Sequence, residues 1–185
     1  MDEILLKTLH ELEETQKQFW NISKATGNFL NMLVKMNNSK HLLEIGTSNG
    51  YSGLWFLEAL QHTGGDFTTI EFHEQRLIPA KENFIKCGFE GKFRLIQGKA
   101  CEIIESMSKD EMFDFVFIDA NKEEYVKDLE LIKPHLLPNA VIAADNINSH
   151  HEKVRPFLEK IYEDPDFQTE IINLPDGLSL SYKLK

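Results

Sequence analysis

Three oxygen-bearing side chains lie at the ends of two apolar runs in the second half of the chain. Asp119 lies at the end of FDFVFIDA, and Asp145 and Asn146 end AVIAADN. Such runs predict parallel strands, and the carboxyl ends of neighbouring parallel strands face one crevice, where these side chains would converge. Two carboxylates and an amide oxygen form a hard ligand set that suits Mg²⁺, Ca²⁺ or Mn²⁺. The sequence therefore predicts a divalent-cation site at Asp119, Asp145 and Asn146.

Two other interpretations of these residues stay open. An aspartate at a strand end is often a helix cap or a turn residue, so Asp119 can be structural. Lys122 follows three residues later and can neutralise the carboxylates without any metal. Lys122 also begins a predicted helix, where the helix dipole disfavours the protonated ammonium. That placement favours a role for Lys122 as a general base.

A glycine loop follows an earlier apolar run, in the sequence LEIGTSNGYS. Gly46 and Gly50 form GxxxG, which lacks the middle glycine of the GxGxxG loops that bind dinucleotides. Ser48 takes that middle position, and its side chain would crowd a pyrophosphate. A ligand without phosphates, with its amino-acid tail against the loop and the following helix, fits better. A strand-to-helix turn that binds nothing is the alternative.

An acidic residue at the end of the next apolar run strengthens the ligand interpretation. Glu71 closes FTTIEF, twenty-one residues after Gly50. A carboxylate there can accept hydrogen bonds from both hydroxyls of a ribose. The loop and Glu71 together predict a bound nucleoside. Phe72 is a candidate to cover the adenine, although a phenylalanine beside a strand end more often packs in the core.

The elements that position these residues alternate along the chain. Apolar runs predict strands near residues 41–46, 67–72, 93–98, 113–120 and 140–146. The stretches between them predict helices near 50–63, 73–87, 99–109 and 122–136. Two further helices are expected before the first strand, and after a helix at 149–163 two alternating runs form a hairpin. We therefore expect a single α/β, Rossmann-like, doubly wound sheet of seven strands, mostly parallel with a C-terminal antiparallel hairpin and helices on both faces.

Length and composition limit the classes of protein that remain. The 185 residues predict one domain, 1–185, with an N-terminal helical segment at 1–40 and a core at 41–185. The formal net charge of −10 and the lack of a basic block argue against nucleic-acid partners. No run is apolar enough to span a membrane or to act as a signal peptide, so a cytoplasmic protein is expected. Cys87 and Cys101 are expected to be buried.

The stretch from about Ser23 to Lys183 resembles the small class I S-adenosylmethionine-dependent O-methyltransferases of the catechol and caffeoyl-CoA type. LEIGTSNGYS looks like the nucleotide-loop signature of that family. FDFVFIDANKEEY is similar to its fourth-strand motif, in which an Asp-Ala pair is followed by lysine and tyrosine. Asp145-Asn146 matches the second metal motif, and LPDGLSLSYK looks like the terminal hairpin. The four motifs occur in the family's order.

The resemblance implies transfer of a methyl group from S-adenosylmethionine to a hydroxyl of a small catechol-like aromatic acceptor, with Mg²⁺ as the expected divalent cation. It makes Lys122 and Asp119 the catalytic residues and implies a homodimer. It assigns the methionine part of the cofactor to Gly46, Tyr51 and Ser52, and the ribose to Glu71. The full expected cofactor set is Glu44, Gly46, Thr47, Gly50, Tyr51, Ser52, Glu71, Phe72, Gly98, Ala100 and Asp119.

Some positions depart from the family pattern and leave rival functions open. After Asn146 the chain enters its next predicted helix almost directly, so the wall over the acceptor is reduced or rebuilt. Lys99 stands where an acidic residue is common, and Asn121 replaces a frequent aspartate. A metal-independent methyltransferase, an NAD-binding oxidoreductase and a cofactor-binding protein that has lost catalysis are the alternatives.

Overall fold

The computed structural model describes residues 1–184, so Lys185, the last residue of the expected core, lies outside the described residues. Its seven strands, numbered in chain order, are β1 His41–Ile45, β2 Asp66–Glu71, β3 Phe93–Gln97, β4 Phe113–Ile118, β5 Leu136–Asp145, β6 Phe167–Ile172 and β7 Leu178–Lys183. They form one sheet in the order β3-β2-β1-β4-β5-β7-β6. The pairs from β3 to β5 are parallel, whereas β7 is antiparallel to both β5 and β6. The predicted fold class is confirmed.

The helices fall close to the predicted stretches. They are α1 Glu3–Glu14, α2 Gln16–Phe19, α3 Lys24–Met36, α4 Tyr51–Thr63, α5 Glu74–Lys86, α6 Ala100–Ser106, α7 Tyr125–Ile132 and α8 His151–Glu163. The helix expected at 122–136 is shorter than predicted, because a 3-10 turn precedes α7 and a second one, containing Pro134, follows it. Proline removes a backbone donor and disfavours a helical residue before it, which ends α7 early.

Side chains pack into two hydrophobic clusters, one on each face of the sheet. The first lies under α3, α4 and α5 and contains a group of aromatic rings that includes Phe56, Phe67 and Phe115. The second lies under α7 and α8, where Tyr125 packs edge-on against Phe157. Cys87 and Cys101 are both buried, as expected. Within residues 1–184, no helix is both long and apolar enough to cross a membrane.

The parallel register brings the loops that carry the predicted site to one edge. Ile45 at the end of β1 pairs with Ile70 of β2 and with Ile118 of β4. Ile118 pairs in turn with Ala144, next to the end of β5. The loops that follow these four strands therefore begin at one level, which is where open α/β sheets bind ligands.

Candidate active site

A cavity of about 450 Å³ opens at this edge of the sheet. The loops after β1, β2, β3 and β4 line it, and residues 19–22, between α2 and α3, lie against it. The structure places most of the predicted cofactor residues on its wall: Gly46, Thr47, Tyr51, Ser52, Glu71, Phe72, Gly98, Ala100 and Asp119. Lys122 lines it as well. Four other predicted residues do not: Glu44, Gly50, Asp145 and Asn146 lie behind the surface of the cavity.

The two loop glycines permit close approaches of the backbone. Gly46 has φ +106°, and a Cβ atom there would overlap the carbonyl oxygen of Asp119. Gly50 has φ +85°, and its Cβ would lie 2.7 Å from the ring of Phe84. Both backbones favour glycine. Gly46 thus lets the β1 loop contact the end of β4, whereas Gly50 serves the packing of α4 on α5.

Glu71 is held by the loops on either side of it. Its two carboxylate oxygens accept hydrogen bonds from the backbone N–H groups of Ser48 and His73, each at 2.8 Å. A carboxylate offers about four lone-pair positions, so two backbone donors leave acceptor capacity on this buried side chain. Because Glu71 also lines the cavity, it can accept hydrogen bonds from a ligand with two neighbouring hydroxyls.

Glu44 supports the cavity wall from behind. This fully buried carboxyl accepts hydrogen bonds from Ser52 Oγ and, at 2.6 Å, from Thr69 Oγ1. Burial raises the pKa of Glu44 to about 8, because the charged form loses its hydration. Its contact with Ser52, which does line the cavity, makes Glu44 a positioning residue in this structure.

Asp119 and Lys122 form an ion pair at the cavity wall. Lys122 Nζ donates to Asp119 Oδ1 at 2.8 Å, and both side chains are largely buried. Lys122 starts a three-residue 3-10 turn instead of the longer helix expected from the sequence. The sequence predicted that a helix dipole would disfavour the charge of Lys122. In the structure no such helix begins at Lys122, and its ammonium instead contacts the carboxylate of Asp119. The ammonium already balances one of the two aspartates.

Asp145 lies beside this pair, with a side chain only 1% exposed. Its Oδ2 accepts a hydrogen bond from Asn146 Nδ2 at 3.0 Å, while Oδ1 is buried and has no partner among the described residues. Burial and then the nearby charge of Asp119 raise the pKa of Asp145 to about 8. A buried carboxylate oxygen without a partner, close to a second carboxylate, is a position that a cation would satisfy.

The donor set of this corner therefore fits a hard divalent cation. Within residues 1–184, no three His, Cys, Asp or Glu side chains cluster as metal ligands. A cation between Asp119 and Asp145 would thus need its third protein ligand from an amide, and Asn146 is the adjacent one. Its backbone, at φ +65°, lies in the left-handed region that asparagine tolerates.

The chain after Asn146 folds away from the cavity. The backbone N–H of Ile147 donates to Gly177 O at 3.2 Å, and that of Asn148 donates to Asp176 O at 3.0 Å. These bonds fasten the segment to the turn between β6 and β7, and none of residues 146–150 lines the cavity. This segment therefore contributes nothing to the lining of the cavity.

Trp20 and Arg76 are among the cavity residues to which the sequence assigned no role. Trp20 belongs to the segment before α3, and Arg76 belongs to the start of α5. Arg76 lies over the indole ring of Trp20, with its guanidinium carbon 4.4 Å from the ring centroid. The two residues are far apart along the chain, so no local pattern could have joined them. An aromatic Phe19-Trp20 pair between two predicted helices was the available signal.

Comparisons with known proteins agree with this geometry. A family profile described as O-methyltransferase matches residues 1–184. A catechol O-methyltransferase of Niastella koreensis is 30% identical over 148 residues, which span 79% of this chain and 66% of that protein. Caffeoyl-CoA O-methyltransferase 2 of Populus trichocarpa is 28% identical, over 97% of this chain and 82% of its own.

Solved structures also match this chain to O-methyltransferases. An O-methyltransferase of Bacillus cereus, solved in complex with S-adenosylhomocysteine, superposes with a TM-score of 0.87 at 25% identity. The superposition covers 99% of this chain and 91% of that one. The chain spans just under two thirds of the Niastella relative and most of the Populus and Bacillus proteins. This chain belongs to the S-adenosylmethionine-dependent O-methyltransferases, the family of the catechol and caffeoyl-CoA enzymes.

Proposed function

We propose that this chain moves a methyl group from S-adenosylmethionine to a hydroxyl of a small catechol-like acceptor, assisted by a divalent cation. The observation that carries the proposal is the Asp119–Lys122 pair, which lines the same cavity as Glu71 and Gly46, while Asp145, outside the cavity lining, keeps a buried oxygen without a partner among the described residues. The shared cavity supports a role for Glu71 in binding a nucleoside next to a charged corner at Asp119 and Lys122.

The cofactor is assigned to the wall formed by the loops after β1, β2 and β3. Glu71 accepts hydrogen bonds from the ribose hydroxyls. It uses the lone pairs that are not occupied by the backbone N–H groups of Ser48 and His73. Gly46, Tyr51 and Ser52 receive the methionine part, while Phe72, Gly98 and Ala100 border the adenine. The Bacillus neighbour solved with S-adenosylhomocysteine supports this assignment.

Asp119, Asp145 and Asn146 are the residues that would hold the cation. A divalent cation bound there supplies Lewis-acid stabilisation to an oxygen that has lost its proton. Asp119 both lines the cavity and contacts Lys122, so the acceptor hydroxyl would lie next to the lysine. A pair of neighbouring hydroxyls on the acceptor would suit such a corner, which is why we favour catechol-like acceptors.

The transfer step needs a group that accepts the proton of the acceptor hydroxyl, and it needs an in-line approach of that oxygen to the methyl carbon. Lys122 accepts the proton of the acceptor hydroxyl after its ammonium group has released a proton to solvent. The oxygen then attacks the methyl carbon of the sulfonium, so that an O–C bond forms while the C–S bond breaks. The electron pair of that bond stays on sulfur, and neutral S-adenosylhomocysteine remains. The cavity wall contributes by holding the two reactants at a fixed distance and orientation.

A metal-independent methyltransferase is the second candidate, because a specific contact favours it. Lys122 already balances Asp119 at 2.8 Å. Burial and the nearby charge of Asp119 raise the pKa of Asp145, which favours its neutral form and lessens its need for a cation. In that case the ion pair alone would position the acceptor hydroxyl.

Calorimetric titration of Mg²⁺ into protein saturated with S-adenosylhomocysteine separates the two candidates. The proposal predicts one equivalent of Mg²⁺ in the wild type and none in Asp145→Asn. Asp128→Asn is the matched control, since Asp128 is also buried with an unpartnered oxygen but lies on α7 and does not line the cavity. A wild type that binds S-adenosylhomocysteine but no Mg²⁺, Ca²⁺ or Mn²⁺ would establish the metal-independent candidate instead.

A further inference from the structure

Trp20 is held in an unusual position at the mouth of the cavity. It ends α2 with φ +57°, in the left-handed region that bulky residues rarely adopt. Its side chain is 74% exposed, yet it lines the cavity. A strained backbone persists only where the surrounding contacts determine it, and such positions cluster at functional sites. The placement of this ring therefore requires an explanation beyond core packing.

The segment that carries Trp20, residues 15–23, is fastened on both sides of the ring; we call it the strap. Before Trp20, the Oγ of Ser48 donates to the carbonyl of Phe19 at 2.9 Å. After Trp20, the buried Asn21 donates from Nδ2 to Leu12 O at 3.1 Å. Asn21 O also accepts a hydrogen bond from Gln16 Nε2 at 3.2 Å. These hydrogen bonds fasten the strap backbone on both sides of Trp20.

Arg76 fixes the direction of that side chain. Its guanidinium carbon lies 4.4 Å from the centre of the indole, within the range of a cation–π contact. The two lysines of the cavity wall pair with carboxylates, Lys99 with Glu102 and Lys122 with Asp119. Within residues 1–184, Arg76 forms no ion pair with a carboxylate, so the indole is the partner that the structure gives its charge.

The position of Arg76 also locates the ring relative to the expected ligand. Arg76 lies in the first turn of α5, and its backbone N–H donates to His73 O at 2.9 Å. Trp20 and Arg76 line the same cavity as Glu71 and Phe72, where the ribose is assigned. An exposed aromatic face in this place can cover a bound nucleoside and remove its sugar and sulfur from water.

We infer that Trp20 is a cofactor-covering residue and that Arg76 is the residue that positions it. The indole forms the outer wall over the bound nucleoside, and the cofactor leaves only when the ring moves off it. The inference rests on the proposed binding of S-adenosylmethionine in this cavity. It predicts that loss of the ring speeds dissociation of the product without unfolding the protein.

The dissociation rate of S-adenosylhomocysteine, measured by surface plasmon resonance on the full chain, tests this inference. Removal of the apolar cover in Trp20→Ala should raise the rate by roughly tenfold. Trp20→Phe keeps a ring and should recover most of the effect. Arg76→Gln should raise the rate by about threefold, whereas Arg76→Lys, which keeps a cation, should stay near the wild type. Met36→Ala is the matched control, because Met36 is 73% exposed and lies away from the cavity.

Fluorescence provides a second readout that a merely structural role would not change. The chain has two tryptophans, and the other one, Trp55, is buried in the hydrophobic core. In Trp55→Phe, emission from Trp20 should shift when S-adenosylhomocysteine binds, because the exposed indole gains a covering ligand. The melting temperatures of the unliganded Trp20 variants should remain within a few degrees of the wild type.

The outcomes distinguish this inference from the proposed function. If the wild type binds no S-adenosylhomocysteine, the cofactor assignment fails and the inference fails with it. If the wild type binds it and Trp20→Ala releases it at the wild-type rate, the covering role alone is wrong. Faster release from Trp20→Ala and Arg76→Gln, with recovery in Trp20→Phe, would establish the role of the pair.

Discussion

At the scale of single residues, the candidate site depends on how its carboxylates are balanced. Glu71 receives two backbone N–H groups, and Asp119 receives the ammonium of Lys122. Asp145 receives only the amide of Asn146 and keeps one buried oxygen without a partner. The three acids were all visible in the sequence at strand ends. The unequal number of hydrogen-bond and charge partners of these acids was not visible in the sequence, because it depends on burial and on contacts between different loops.

Glu71→Gln tests the assignment of the ribose. The substitution keeps one oxygen but places an NH₂ group against a backbone N–H donor of the loop, and it removes an acceptor for the ribose. We expect binding of S-adenosylhomocysteine to weaken by about 1–3 kcal/mol, the cost of unmet hydrogen bonds. Isothermal titration calorimetry measures this, with the exposed Glu74→Gln as control. Wild-type affinity in Glu71→Gln would contradict the assignment.

Lys122→Ala separates the chemical step from cofactor binding. If Lys122 accepts the acceptor proton, its loss should lower kcat by about 10²- to 10⁴-fold. The affinity for S-adenosylhomocysteine should change little, because the lysine belongs to the acceptor side. Lys127→Ala, an exposed lysine on α7, is the control in the same turnover assay. A variant at Lys122 that keeps wild-type turnover would remove this residue from the mechanism.

At the scale of elements, a buried tyrosine joins the two strands that carry the aspartates. The hydroxyl of Tyr125, at the start of α7, lies 3.2 Å from Ile118 O at the end of β4 and 3.3 Å from Asp145 O at the end of β5. It can share its proton between these two carbonyls. Tyr125 therefore helps to set the spacing between the strand ends, and with it the spacing between Asp119 and Asp145.

Tyr125→Phe should loosen this connection without emptying the core. The phenylalanine keeps the ring contact with Phe157, but the two carbonyls lose their donor. We expect a loss of about 1 kcal/mol in the free energy of unfolding and a several-fold weaker binding of Mg²⁺. Urea unfolding and calorimetry measure the two effects, with the half-exposed Tyr162→Phe as control. Unchanged Mg²⁺ affinity in a destabilised Tyr125→Phe would show that the hydroxyl has no positioning role.

The elements themselves were largely predictable, and the differences have local causes. Apolar runs located β1 to β5, because strands buried on both faces need continuous apolar side chains, and two alternating runs located the hairpin of β6 and β7. Strand β5 was expected from residue 140 but begins at Leu136, and its pairing with β4 shifts register between Phe113 and Phe115. Pro138 and Asn139, with Asn139 at φ +67°, occupy this irregularity. Both residue types are rare in regular strands, so the pattern predicted a loop there.

The position of the strap was less predictable. The break after α1 and the contact of Trp20 with Arg76 depend on packing between the N-terminal segment and α5. Trp20 and Arg76 are 56 positions apart, so no local pattern in the sequence connects them. The cavity wall that the sequence identified thus comes from strand ends, whereas the cover over it comes from tertiary contacts.

At the scale of the whole molecule, several acids are buried in a chain of net charge −10. Burial raises the pKa of Glu44 and of Asp145 to about 8 and that of Asp128 to about 7. Between their unfolded and folded pKa values, the folded protein holds protons that the unfolded chain has released. Raising the pH therefore favours unfolding. Their contribution is fully present below about pH 4 and is lost as the pH rises towards 8.

Free energies of unfolding, measured across this pH range, test whether stability falls as the pH rises. Without cofactor or metal, stability should fall between pH 5.5 and pH 7.5, by up to about 1.4 kcal/mol per pH unit for each such carboxyl. Glu44→Gln, which cannot titrate, should remove the share of one group from the slope, while the exposed Glu82→Gln should leave the slope unchanged. Urea titrations at a series of pH values measure this. A slope that Glu44→Gln leaves intact would contradict the account of Glu44.

The central claim is that the whole molecule methylates a vicinal diol with the help of a divalent cation. Its most direct test is the transfer of labelled methyl from S-adenosylmethionine to 3,4-dihydroxybenzoate and related catechols, in Mg²⁺ and in excess chelator. We expect an O-methylated product in Mg²⁺, a large fall in the rate with chelator, and recovery when Mg²⁺ is restored. Transfer that chelator leaves unchanged, or none to any catechol by protein that binds the cofactor, would contradict it.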